Sequence, residues 1–233
     1  MPPPPPYRDP VTEPDLPAWR RSTQGETRWP AMAVVVVTMA LQLALPGEVV
    51  LRPWWLLPLL SAVLIVALLL MNPGRMDHLS RVERMISLLL VAAVSVVNAG
   101  SAAQLVDGII TGTLNSRAGA VLISGGIVYW TNIVVFSLWY WEFDRGGPAH
   151  RALGHAEYPD LQFPQMTEPD LAHGDWEPSY LDYLYFSFTN AAAFSPTDVM
   201  PLRIWAKMTM MLQAALSLVL ALLVVAWAIN GLR

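Results

Sequence analysis

Cysteine is absent from the 233-residue chain, which removes disulfide frameworks, thiolate metal sites and cysteine nucleophiles at a stroke. Charge is also scarce, at 14% of residues against about 25% in an ordinary soluble domain. The little charge present sums to -4, the wrong sign for a nucleic-acid surface. Glycine-rich phosphate loops, Gly-x-Ser-x-Gly elbows and His-Glu-x-x-His helices do not occur, and all four histidines fall between the apolar blocks. No catalytic constellation is therefore legible and no cofactor or metal is expected. His150, His155, Glu157, Asp160 and His173 follow no zinc spacing and read as solvated.

Apolar residues fill the space that charge leaves. They make up 55% of the chain, the mean hydropathy is +0.42, and they come in blocks near the roughly 20 residues that cross a bilayer. Residues 1–29 open with Pro2 to Pro6, carry balanced charge and lack an apolar period, so they read as a disordered, partly polyproline II tail rather than a secretory signal. Residues 30–143 hold four expected spans, at about 30–45, 54–71, 84–105 and 118–143. Pro46-Gly47, Asn72-Pro73-Gly74 and Gly146-Gly147-Pro148 act as stops. Residues 144–179 form an acidic loop; from Glu142 to Asp182 there are nine acids against two arginines. Residues 180–233 hold a short aromatic helix to about Ala193, a break at Ser195-Pro196-Thr197-Asp198, and a last span from about Leu202 to Asn230.

The expected fold is thus an all-α integral membrane protein with five transmembrane helices and a short re-entrant helix before the last span. Arg75, Arg81, Arg84, Arg145, Arg151, Arg203, Lys207 and the tail arginines fall on one side of that topology, and Arg52, Arg117 and Arg233 on the other. Lysine and arginine are retained in the cytoplasm. The N-terminus and acidic loop are accordingly expected there, in a bacterial inner membrane.

The run from Tyr185 to Pro201 resembles the pore-helix and filter region of pore-loop potassium channels, followed as there by a long apolar helix. The positions matching that family's Thr-Val-Gly-Tyr-Gly-Asp filter are Ala193, Phe194, Ser195, Pro196, Thr197 and Asp198, and Pro201 stands at its following proline. Only the aspartate and the proline agree. Glycines that let consecutive carbonyls face an ion are replaced by Ser195 and Thr197, so the resemblance does not carry over a potassium-selective filter. Over residues 30 to 233 the chain also resembles a group of uncharacterised bacterial five-span membrane proteins. The match is carried by Phe163-Pro164 in the acidic loop and the Tyr-Leu-Tyr-Phe-Ser-Phe-Thr segment from Tyr183. That resemblance implies the architecture and no activity. Locally, Ser195-Pro196-Thr197-Asp198 also has the form of a helix N-cap.

Three polar faces interrupt the apolar spans. Ser87, Ser95, Asn98 and Ser101 share one arc of the third span; Gly125, Tyr129, Asn132, Phe136 and Tyr140 share one of the fourth; Gln213 and Ser217 stack in the last beside Met210. All three are expected to turn inward, either as packing glue or as the lining of a wet path. Candidate pore-lining residues are Thr189, Asn190, Ser195, Thr197, Asp198, Gln213, Asn98 and Asn132. The leading expectation is a pore-loop-like protein, a homo-oligomeric channel for small ions or solutes, because one short helix per chain cannot enclose a pore. Its rivals are a non-conducting scaffold shut by Phe186, Phe188 and Phe194, and a small single-chain transporter using Asn98 and Asn132. The bilayer is the partner common to all three.

Overall fold

A computed structural model of the chain describes residues 16–46, 49, 55–71, 74–76, 80–112, 118–154, 158–168, 170, 172–192 and 198–231. The long helices are α1 (Trp29–Leu43), α2 (Leu56–Met71), α3 (Arg81–Thr111) and α4 (Ala118–Phe143), followed by the short α5 (Pro148–Ala152). Strand β1 (Leu161–Gln162), α6 (Pro164–Thr167), α7 (Tyr180–Ala192), strand β2 (Met200–Pro201) and the long α8 (Ile204–Gly231) complete the order. Three stretches, Arg81–Thr111, Gly119–Gly146 and Ile204–Trp227, are long and apolar enough to cross a membrane. The protein is a helical membrane protein on this ground. Helices α1 and α2, with 15 and 16 residues, reach only roughly 23 Å, short of a hydrocarbon core of about 30 Å.

Local chemistry sets the ends. Pro30 opens α1 in its first turn, where a missing amide costs nothing. Ser80 caps α3, its hydroxyl accepting from the Glu83 amide at 3.3 Å, in a Ser-x-x-Glu arrangement. The same helix runs six residues past the expected end at Leu105, because nothing stops it before Gly112, which takes a left-handed φ of 67°.

Helix α4 is the hub and touches α1, α3, α7 and α8. Helix α8 runs antiparallel to it: Trp205 meets Phe143 at a ring separation of 5.7 Å, Ser217 meets Asn132, and Val224 lies against Gly125. Helix α7 is also antiparallel to α4. It starts with Tyr180 beside Trp141, at 5.7 Å between rings, and ends with the Ala191 carbonyl accepting from the Tyr129 hydroxyl at 2.8 Å. Helices α7 and α8 therefore both begin at the end of the bundle where α4 finishes. The chain is back at that end by Met200, which pairs with Gln162, and by Leu202, whose amide donates to the Asp160 carbonyl at 2.8 Å.

That return corrects the N-cap reading of Ser195-Pro196-Thr197-Asp198. Met200 and Pro201 are strand, and α8 starts only at Ile204, so this tetrapeptide does not begin the last helix. Pro201 ends the short β-pairing without needing to donate an amide into it. Residues 193–197 themselves lie outside the described residues.

Two segments read as solvent-facing are built into the fold. Residues 16–28, assigned from composition to the tail, are tied down: the Thr23 amide donates to the Ala152 carbonyl at 2.8 Å, the Met76 amide to the Glu26 carbonyl at 3.1 Å, and Thr27 bridges Arg75. The acidic segment after α4 likewise folds into α5, β1 and α6, with Asp144, Arg145 and Arg151 buried. Composition misjudged both because the anchoring charges come from opposite segments, and each supplies what the other lacks. Residues 16–28, 74–76, 144–154 and 158–168 form one capped end.

Candidate functional site

The polar faces of α7, α4 and α8 converge on Gln213, whose side chain is wholly shielded from solvent. Its Nε2 donates to the Ser187 carbonyl at 2.9 Å and to the Ser187 hydroxyl at 2.7 Å. Its Oε1 accepts from the Tyr140 hydroxyl at 2.9 Å and from Asn190 Nδ2 at 2.8 Å. A glutamine amide has two donor hydrogens and two acceptor lone pairs, and all four are used inside the chain. Ser187 passes the network on by donating to the Ile133 carbonyl at 2.7 Å, and Asn190 makes a second bond to the Met210 carbonyl at 3.2 Å. Tyr140 and Phe186, at 4.6 Å between rings, close this hub with buried aromatic surface.

A second network lies beside it. Asn132 Nδ2 donates to Ser217 at 3.0 Å, and its Oδ1 accepts from Asn98 Nδ2 at 3.4 Å. Gln42 of α1 joins Thr131 at 3.0 Å and Ser101 at 3.3 Å. Ser95 accepts from the Trp139 indole at 3.0 Å. The three polar faces do turn inward, and these contacts link α1, α3, α4 and α8.

Of the eight candidates, the structure thus gathers Asn190 and Gln213 in one cluster and Asn98 and Asn132 in the next. Thr189 bonds back to the Phe186 carbonyl of its own helix at 2.9 Å, and Asp198 is exposed at the capped end. Ser195 and Thr197 fall outside the described residues, as does Phe194. Of the phenylalanines offered as a plug, Phe186 is buried whereas Phe188 is 48% exposed and faces away. Ser187 and Gln42 went unread because a lone serine or glutamine in an apolar run carries no spacing signal. Ser187 lies three residues before Asn190, the one clue available.

The capped end holds a denser electrostatic cluster that composition did not reveal. Asp144 accepts from the Tyr183 hydroxyl at 2.6 Å, from the Asp160 amide at 3.1 Å and from the Leu161 amide at 3.2 Å, and pairs with Arg145 at 3.4 Å. Arg145 reaches the Trp19 carbonyl at 2.6 Å. Arg151 donates to the Trp141 carbonyl at 2.6 Å and pairs with Glu26 at 2.9 Å, its guanidinium 5.0 Å from the Tyr183 ring centre. Glu26 also accepts from the Trp141 indole and, at 2.9 Å, from the Tyr180 amide. Burial pushes the Glu26 carboxyl above the usual carboxylate range, and the Arg151 charge and these hydrogen bonds draw it only partly back. The cluster fixes the start of α7 against the end of α4.

Among the described residues no three histidine, aspartate or glutamate side chains converge as metal ligands. Comparison with known proteins finds no matching family model, no similar curated protein and no similar solved structure.

Proposed function

We propose that this chain is a non-conducting membrane scaffold in which a pore-loop-like hairpin is packed shut. The observation that carries the reading is Gln213: it is fully buried where α7 packs against α4 and α8, and every hydrogen-bonding position it has is taken by Ser187, Tyr140 or Asn190. A side chain lining water leaves valences for water. Beyond Lys207 in its first turn, the described outward side chains of helix α8 are apolar, among them Met211, Leu218 and Leu222, as a surface in contact with lipid requires. In this reading α7 dips into the bilayer from the cytoplasmic side and the chain returns before α8. Helices α1 and α2 are short spans that thin the bilayer or are sheltered by their neighbours. The capped end, with its arginines, faces the cytoplasm of a bacterial cell.

The test is ion and small-solute flux in liposomes holding the full chain, together with its mass in mild detergent. Flux at the level of empty liposomes is the expected result. Flux from an oligomer that falls when Asn190 or Thr189 is substituted would overturn the scaffold and restore the channel.

A further inference from the structure

Between α1, α2, α3, α4 and the start of α5 lies a cavity of about 470 Å³, within the roughly 300–1,000 Å³ typical of ligand sites. Its two ends differ in chemistry. The inner wall is apolar, made by Met32, Val35, Leu68, Leu90 and Leu138. Arg28, Arg81 and Arg84 stand at the mouth by the capped end, with Glu83 and Glu142 among them. From Arg84 to Val91, both lining residues, the cavity follows α3 inward for roughly 10 Å, so it spans the depth of a headgroup region and the first part of the acyl layer.

The arginines are not equally satisfied. Arg84 donates to the Gly146 carbonyl, which holds its guanidinium at the mouth. Arg28 pairs with Glu83 through one terminal nitrogen, while its Nε and other terminal nitrogen are buried with no partner. Buried guanidinium hydrogens without an acceptor are costly, and Nε and Nη1, which lie on separate edges of the guanidinium, are each a charged donor that an anionic oxygen such as a phosphate's would satisfy. Glu142, which accepts from the Ser87 hydroxyl, faces the same space and offers an acceptor to a headgroup hydroxyl.

We infer that this cavity binds an anionic glycerophospholipid with a hydroxyl-bearing headgroup. The phosphate sits on Arg28 and Arg84, a headgroup hydroxyl donates to Glu142, and an acyl chain lies along Met32, Val35 and Leu138. Basic pockets between membrane helices on the cytoplasmic side are suited to such headgroups, because that leaflet carries the anionic lipid. The inference rests on the bilayer placement in the proposed function but not on α7 being shut, so flux and lipid binding succeed or fail separately.

The experiment is native mass spectrometry and thermal unfolding of the full chain in mild detergent with phosphatidylglycerol, phosphatidylcholine or inorganic phosphate added. Phosphatidylglycerol is expected to be retained about tenfold better than phosphatidylcholine and to raise the unfolding temperature. Arg28→Gln should erase that preference. Because this change strips Glu83 of a partner, Val35→Phe serves as the second variant: it leaves the arginines in place, fills the apolar end and should weaken retention of both lipids. Equal retention of the two lipids by the unaltered chain would overturn the inference. So would inorganic phosphate matching the stabilisation, which would mark a free-anion site.

Discussion

Replacing Gln213 by leucine tests whether the centre of the bundle is dry. The two side chains are close in volume, so the change removes four hydrogen bonds without opening a large cavity. Asn190 keeps its bond to the Met210 carbonyl, and Ser187 keeps the Ile133 carbonyl as its acceptor. Tyr140 is left with a fully buried hydroxyl that has lost the acceptor it donates to. Interhelical hydrogen bonds in membrane proteins average about 0.6 kcal/mol, and orphaning a buried hydroxyl adds about 1 kcal/mol or more, so Gln213→Leu should cost about 3 kcal/mol. Reversible unfolding of the detergent-solubilised chain, followed by tryptophan fluorescence and circular dichroism, measures it. Tyr140→Phe alone should cost about 0.6 kcal/mol, yet in the Gln213→Leu background it should be neutral or stabilising, since it deletes the orphan. If water reaches the hub, it replaces each lost partner. A cost below about 0.5 kcal/mol for Gln213→Leu, with no coupling to Tyr140, would therefore refute the dry centre on which the scaffold reading stands.

Four further outcomes follow from packing and charge. A Cβ added at Gly125 would lie 2.6 Å from both γ-carbons of Val224, so Gly125→Ala should destabilise by about 1–3 kcal/mol, and Val224→Ala in the same chain should recover part of the loss. Asp144→Asn removes the charge beside Arg145 and cannot accept at both oxygens, so it should cost about 3–5 kcal/mol by the same unfolding assay. Glu26→Gln keeps an acceptor for the Trp141 indole or the Tyr180 amide, whereas Glu26→Ala keeps none, so proteolysis of residues 16–28 should be faster in the alanine variant. The raised pKa of Glu26 means the folded chain holds the protonated carboxyl more tightly than the unfolded chain does. Its contribution is full below the ordinary value of 4.5 and lost as pH rises through the raised one. Residues 16–28 should accordingly be cut no faster at about pH 5 than at about pH 7.5, and faster cutting in acid would show that the Arg151 ion pair outweighs burial.

What could be read in advance followed from periodicity. The arcs of Asn98, Asn132 and Gln213 specify which faces turn inward because a helix repeats every 3.6 residues whatever surrounds it. Breakers such as Gly146-Gly147 marked the end of α4 for the same local reason. The capped end was opaque because its logic is between segments. Glu26 lies in a proline-rich stretch and Arg151 in an acidic one, and neither composition predicts a 2.9 Å ion pair across 125 positions of sequence. The N-cap reading of Ser195-Pro196-Thr197-Asp198 failed for a related reason: Pro196 is a good first helical residue in isolation, but Met200 and Pro201 are held as strand by Leu161 and Gln162, and the last helix starts at Ile204, close to the expected Leu202.

These two failures share a consequence for α7. Its start is gripped by Glu26 and Asp144, its far end by Tyr129, and its inner face by Gln213 of α8, so three separate segments would have to give way before it could move. A gate held at one point can swing when a single ligand or charge changes, whereas an element fixed at both ends and along one face moves only if the contacts fail together. The grip at the capped end is thus part of the same argument as the dry hub. Loosening either alone should increase hydrogen exchange of the α7 amides locally without producing flux. Flux appearing in Asp144→Asn, with Gln213 intact, would show instead that the capped end is a latch and that the hub opens once it is released.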